Sequence, residues 1–573
     1  MRSDSPNLFC LKKFYRTAII LKAIFCSALA LPLFTSCELD QFPTDSLTDK
    51  ESWKTYNDAT NQYNGLLAIL RSDISGSNAY LTDVMSDLFN QRMTSASYGQ
   101  EHSWRFTGSQ FGGDAIWANN YSVILQANFI LQNIGKFENS STLSDQQKAN
   151  IYNIKATAYF ARAYAYSRMV TRYCKDYEPE TAANELGLPI VETVNSEAKP
   201  ARASLQTTCD TIEANLNHAM AYFDKVAEYN DGAEPKARIE SSIYKPNADC
   251  VTALRARFYL YEHKFDQAIE EAETIRNTYS LASGANDMLN LWILDKGNEI
   301  IYEPLQTPDE LSGSYGVFLS YNVIMDNLEA SLKGMNPDYL PTKGLVDMYS
   351  DNDVRRQVYF SFQNQQGQNT FYLGYGTQNG YQLDQLGLPA DISTASGDTE
   401  SGVIFTKYVG NPTLRKQNLW YSQNYNMTKA FRASEAYLII AEANLRKANP
   451  DEAAAREALN ELRVNRYMGE TDDYNYAESA DYIGDNVTGA ALVKVMQDEW
   501  TREFVGEGFR LDNLKRWHLG FKRMAAQQFQ NPVLVSTHGW QDLEVEANNI
   551  RFTWPIPQQE TQANKNIKQN EGY

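Results

Sequence analysis

The chain has 573 residues, 43% of them hydrophobic and 12% aromatic, which excludes a disordered chain and allows a large core. Lys and Arg number 52 against 71 Asp and Glu, a net charge of −19, so an extended basic face for nucleic acid is excluded. The five histidines, His102, His218, His263, His518 and His538, are scattered with no two at a metal-ligand spacing, which argues against a metalloenzyme.

The N-terminus reads as an export signal. Lys12, Lys13, Arg16 and Lys22 precede the apolar run 23–34, which is too short to cross a bilayer core of about 30 Å as a helix. Leu33, Phe34, Thr35, Ser36 and Cys37 then look like a bacterial lipobox, with Phe34 where Leu is usual. Cleavage of residues 1–36 would leave Cys37 lipidated and N-terminal, and removing five positive charges and one negative would take the net charge from −19 to −23. Two or more acyl chains on Cys37 would anchor the protein stably to a bilayer, and no later apolar stretch is long enough to span one. Cys10 and Cys26 leave with the signal. Cys174, Cys209 and Cys250 have no close spacing, so they predict buried thiols and no disulfide framework.

Helical periodicity then recurs along the chain. Trp53 to Leu70 places Trp53, Tyr56, Ala59, Tyr63, Leu66, Leu67 and Leu70 on one side. Ala115 to Ile134, Gln146 to Tyr173 and Ser204 to Phe223 follow, the second of them rich in Ala and Tyr. Ala248 to Glu262 and Phe265 to Asn277 flank a break at His263 and Lys264, with the large–small alternation of a tetratricopeptide unit. A second unit runs from Phe431 to Lys447 and from Asp451 to Arg466, where Asp451 after Pro450 fits a helix start. Such pairs must stack to bury their faces, so the fold class is mainly α, with tetratricopeptide-like pairs forming a scaffold. Residues 278–345 and 351–428 differ, being rich in Gly, Asn, Gln, Tyr and Ser, and loops that long in a compact protein are usually functional. The expected organisation is a signal peptide, 1–36, and one domain, 37–573. Within that domain, 37–277 carries helical pairs, 278–428 is a loop-rich insertion, and 429–573 holds further helical pairs and a tail.

Several segments, collinear over essentially the whole mature chain, resemble the SusD/RagB family of nutrient-binding outer-membrane lipoproteins. They are Cys37 to Ser46, Tyr121 to Asn128, Lys155 to Tyr164, the stretch from Ala253 to Leu260, Arg432 to Ala443 with Asn460 to Arg463, Glu499 to Trp517, and Trp554 to Glu560 with Gln569 to Tyr573. The resemblance implies a scaffold of four tetratricopeptide-like pairs and an irregular half bearing the ligand site. It also implies a partner, a SusC-like TonB-dependent outer-membrane barrel over which the lipoprotein sits as a lid at the cell surface. The implied function is capture of an oligosaccharide for that transporter, or, as in RagB-type members, of a peptide.

The carboxylates Glu499, Glu503 and Glu507 fall at i, i+4 and i+8 on one helix, where they point the same way. A glycosidase needs two carboxyls on opposite sides of the scissile bond, so ion pairs with Arg502, Arg510 and Arg516 are the expected use. With no nucleophile elbow, phosphate loop or Asp-x-Asp-x-Asp-Gly calcium loop, no catalytic residue, cofactor or metal is expected. The candidate binding groups are aromatic, because the C–H face of a sugar ring stacks on Trp or Tyr while neighbouring amides and carboxylates take the hydroxyls. Trp104 and Tyr98 lie in a polar run, and Tyr315, Tyr321, Tyr375 and Trp420 lie in the loop-rich portion. These six are the expected ligand-binding residues.

Overall fold

The computed structural model describes residues 53–91, 96–138, 140–231, 235–307, 315–318, 321–326, 329–335, 337–363, 369–370, 403–408, 410–411, 414, 426–467, 475–524, 528–529, 533–534 and 542–573. Cys37, Tyr375 and Trp420 fall outside them, as does the side chain of Tyr321. Twelve helices matter here: α1 (Tyr56–Ile74), α2 (Ser77–Val84), α3 (Asp114–Glu138), α4 (Asp145–Tyr173), α5 (Leu205–Asn230), α6 (Ala248–Tyr261), α7 (Phe265–Thr278), α8 (Gly284–Ile293), α9 (Ala433–Arg446), α10 (Glu452–Arg466), α11 (Gly489–Phe504) and α12 (Arg510–Arg516). The mainly helical class expected from periodicity is the observed one.

Local chemistry sets the helix starts. Ser144 and Gln147 form a reciprocal capping box on α4, Ser204 accepts from Thr207 N at the head of α5, and Asp451 accepts from Ala454 N at the head of α10. α4 packs against both α3 and α5, α6 against α7, and α9 against both α7 and α10. Buried alanines at 156, 158, 161, 163 and 165 let neighbours approach α4 closely, and residues 433–444 of α9 are buried all round because helices surround it. The described strands are short and pair mostly in twos, Phe89–Gln91 with Tyr339–Pro341 and Ile300–Tyr302 with Phe431–Arg432 among them. The C-terminal tail is strapped to the end of α4: Trp554 N donates to Arg172 O, and Asn570 Nδ2 donates to the carbonyls of Tyr173 and Trp554.

The interior also holds a large ionic cluster. Its carboxylates are Asp295, Glu299, Glu303, Asp353, Glu499, Glu503 and Glu507, and its cations are Arg355, Lys407, Lys429, Arg432, Arg463, Arg466 and Arg502. Seven acidic and seven basic side chains meet there, none more than 9% exposed, and burial pushes the Glu303 carboxyl up to about 8. Glu503 accepts from Arg355 at 2.9 Å, Arg432 at 2.7 Å and Arg466 at 2.8 Å. Glu499 takes Arg355 at 2.7 Å and both Arg463 and Arg502 at 2.6 Å. The indole of Trp292 lies among Lys407, Lys429 and Arg432, at 4.1, 4.9 and 5.1 Å from its ring centre.

Two sequence expectations are corrected here. Glu507 is not on the helix of Glu499 and Glu503: α11 stops at Phe504, and Gly506 and Gly508 take φ of 81° and 80°, which a side chain disfavours. Their N–H groups and that of Arg510 donate to the buried carboxylate of Asp83 on α2. The partners also differ, since only Arg502 meets this trio. Arg510 instead pairs with Asp87 and Arg516 with Glu442, while the trio takes cations from segments distant in sequence.

Removing one member of such a cluster leaves its partners buried and unpaired. Glu503→Ala is expected to cost about 3–5 kcal/mol of unfolding free energy, read from urea midpoints. A second expectation concerns acid. Burial alone would raise the Glu442 carboxyl, but Arg516 and Arg446 override it and hold it down at about 2. A pKa lower in the folded than in the unfolded chain gives stability present above about pH 4.5 and lost as pH falls towards 2. Between pH 6 and pH 3 the protein should lose about 2 kcal/mol more than Glu442→Gln does, measured by denaturant unfolding at each pH.

Candidate functional site

The segment between α2 and α3 carries the candidate site. After α2 the chain forms the strand Phe89–Gln91, antiparallel to Tyr339–Pro341, and re-enters the described residues at Ala96. A single helical turn, Gly99–His102, follows. It is preceded by Tyr98 at φ 63° and followed by Trp104 at φ 57°. Two bulky aromatics in the left-handed region within seven residues are conformations that the surroundings must enforce, and such outliers gather at binding sites.

Several contacts hold the turn. Tyr339 Oη donates to Ser97 O at 2.5 Å, and Ser97 N donates to Asp338 Oδ2 at 3.0 Å. Glu101 Oε1 accepts from Gly112 N, drawing the later part of the loop under Tyr98. A Cβ on Gly112 would lie 2.8 Å from Tyr98 Cδ1, so the absence of a side chain there seats the ring. On the inner side Tyr98 meets Tyr80 of α2 edge-on, with ring centres 6.2 Å apart. Tyr80 in turn packs on Tyr315 and Phe318, and these continue into Phe89, Phe405 and Tyr408. Tyr98 is the half-buried member above this fully buried aromatic group, with Ser97 and Gln100 exposed beside it.

The structure corrects the expectation for two candidates. Trp104 is only 7% exposed: its indole is enclosed by Phe106, Phe521 and Phe552, and Nε1 donates to Met85 O at 2.7 Å. The polar run around it is a tight turn that folds the indole inward. Tyr315 is 2% exposed, stacked on Tyr408 with ring centres 3.6 Å apart, and its hydroxyl is 2.9 Å from Thr428 Oγ1. Neither offers a free ring face. Tyr98 and Tyr315 nevertheless belong to one aromatic group through Tyr80, a residue of the short helix α2 that sequence reasoning passed over. The carboxylates Glu499, Glu503 and Glu507 are occupied by arginines and a lysine. Burial alone would raise Glu499 and Glu503, but the arginines against them hold both well below the usual carboxylate range. Acids so strongly ionised are poor proton donors, and the three offer no pair placed across a cleft.

A sequence family described as SusD family matches residues 253–573, and one described as "Starch-binding associating with outer membrane" matches residues 39–260. A search of curated proteins finds no match. Among solved structures, a SusD superfamily protein from Bacteroides thetaiotaomicron VPI-5482 aligns over 90% of this chain and all of its own, at 21% identity and a TM-score of 0.65. A SusD-like carbohydrate binding protein from Bacteroides vulgatus ATCC 8482 aligns over 90% of this chain and 97% of its own, at 18% identity and a TM-score of 0.63. The surface glycan-binding protein A of Bacteroides fluxus aligns over 91% of this chain and all of its own, at 16% identity and a TM-score of 0.58. At these identities the likeness speaks for the fold.

Core and surface roles predict different costs. Trp104→Ala should destabilise the protein by about 3–5 kcal/mol, as expected for a buried Trp, whereas Tyr98→Ala should cost no more than about 1–2 kcal/mol in the same urea titration.

Proposed function

The chain belongs to the SusD family, and from that premise we propose that it is a lipoprotein that binds glycan at the surface of the outer membrane and performs no covalent chemistry on it. Cys37 is the proposed anchor, a SusC-like TonB-dependent barrel the proposed recipient of the oligosaccharide. The observation that carries the glycan reading is the pair of family matches, which together run from residue 39 to the C-terminus and include one described as starch-binding. Solved structures of this fold that are described as carbohydrate binding and surface glycan-binding support it. The geometry supports it locally. Tyr98 is a half-exposed ring on a rigid aromatic base, flanked by exposed polar groups, and a sugar is recognised by stacking of that kind joined to hydrogen bonding. The charged residues that could have suggested hydrolysis are used within the core instead. Tyr321, Tyr375 and Trp420 remain proposed contributors from the loop-rich portion.

Affinity electrophoresis of the soluble form, residues 38–573, through gels containing plant, host and microbial polysaccharides tests the reading. Retardation by one glycan is expected, and Tyr98→Ala should weaken it by about tenfold or more, about 1.4 kcal/mol. Binding to a peptide pool with no glycan retarded would overturn the glycan reading in favour of peptide uptake. Retardation unchanged by Tyr98→Ala would keep the ligand class and move the site elsewhere.

A further inference from the structure

Past α4 the chain turns through Asp176 and Glu178, and far along the sequence His518 follows the end of α12 in the left-handed region at φ 51°. His518 Nε2 lies 2.8 Å from Glu178 Oε1 and 4.0 Å from Asp176 Oδ2. One ligand atom from each of the three lies within 4.8 Å of the others. Among the described residues neither carboxylate is within ion-pair distance of a lysine or arginine. Lys515 borders the same place, but its ammonium donates to the carbonyls of Thr171 and Cys174, and Arg516 is taken by Glu442. The second observation is independent of this spacing. The Asp176 side chain is only 11% exposed, and its Oδ2, the atom facing His518, is buried with no hydrogen-bond partner. A buried carboxylate oxygen without a donor is costly unless something else satisfies it. A cleft of about 430 Å³, bordered by all three residues, gives solvent access.

We infer that Asp176, Glu178 and His518 form a binding site for a divalent transition-metal ion, with zinc the best fit. The donor set is one imidazole nitrogen and two carboxylate oxygens, a combination suited to zinc, with the cleft able to supply water as a fourth ligand. The imidazole argues against calcium and magnesium, which take oxygen ligands. Ligand distances of about 2.0–2.2 Å need the Glu178–His518 contact to open slightly and Asp176 to come closer, each by less than about 1 Å. The exposed side chains of His518 (62%) and Glu178 (37%) have room for that. Nε2 binds the metal as the neutral tautomer with the proton on Nδ1. Such an ion would cross-link the ends of α4 and α12 across 340 residues of sequence, which is why histidine spacing does not reveal it. It is independent of the glycan reading.

The test is isothermal titration of the purified mature chain, stripped of metal with a chelator, against zinc chloride and, separately, calcium chloride. One zinc per chain is expected, with binding weakened at least about tenfold by His518→Ala and by Asp176→Asn, and no comparable calcium binding. His518→Gln, a change at an exposed side chain, serves as the variant least able to disturb folding, and circular dichroism confirms that each variant is folded. Absence of zinc binding would overturn the inference. So would zinc binding that survives both His518 variants, or calcium binding at the same site in preference to zinc.

Discussion

The structure depends on the need to partner three buried glutamates. Glu499 and Glu503 lie on α11 and Glu507 in the turn after it, where an ionised carboxylate would be costly on its own. Their cations arrive from three parts of the chain: Arg355 and Lys407 from the loop-rich middle, Arg432 from the strand before α9, and Arg463 and Arg466 from α10, with Arg502 the one local partner. Glu299 and Asp353 take further guanidinium donors, and backbone carbonyls of Ala282, Met348 and Asp481 take others. Replacing a buried ion pair by apolar groups is often neutral or stabilising, so net stability alone does not account for the cluster. It does impose specificity: the arginines are satisfied only when the middle of the chain is threaded against the C-terminal helices in this arrangement. The loop-rich portion is, in its described parts, built into the core.

What the sequence shows and what it conceals follow from the range of the interactions. Helices α3, α4, α6, α7, α9 and α10 are legible because periodicity and caps are local, as with Asp451 at the head of α10. The end of α11 is less so. Reading Glu507 as a third turn of the same helix follows from spacing, but Gly506 and Gly508 end the helix and hand their N–H groups to Asp83, more than 420 residues away. The partners of the glutamates are equally invisible, because arginines within reach along the sequence compete with arginines brought near by the fold. Arg510 and Arg516 look suitable by spacing and are drawn off to Asp87 and Glu442.

The same distinction governs the aromatic candidates. Trp104 lies among polar residues, and a local window assigns it to the surface. Its turn is so tight that the indole is folded inward, where three phenylalanines, two of them from beyond residue 520, enclose it. Tyr98 shares that polar neighbourhood and stays half-exposed, since Tyr80 and the space at Gly112 support the ring from below and to one side. Six residues of separation thus divide a core anchor from a candidate contact. Hydropathy does not distinguish them, because the place of each ring is set by the groups the fold packs against it and not by the polarity of its neighbours along the chain.

The ionic core and the candidate site are physically continuous. The turn that carries Glu507 is held by Lys407 and Arg432 on one side and gives three backbone N–H groups to Asp83 on the other. Asp83 lies on α2, one turn from Tyr80, and Tyr80 bears the ring of Tyr98. A binding ring must be held in place before ligand arrives if the entropy of ordering it is not to be charged to affinity. The position of Tyr98 is therefore inherited from α2, that of α2 from the Gly506–Gly508 turn, and that of the turn from the paired glutamates. The links from the turn to Asp83 and to Lys407 and Arg432 join segments far apart in sequence, while that from Asp83 to Tyr80 runs along one turn of α2. On the proposed glycan reading, these charges would act on recognition by fixing the platform on which Tyr98, the half-buried ring of the aromatic group, stands.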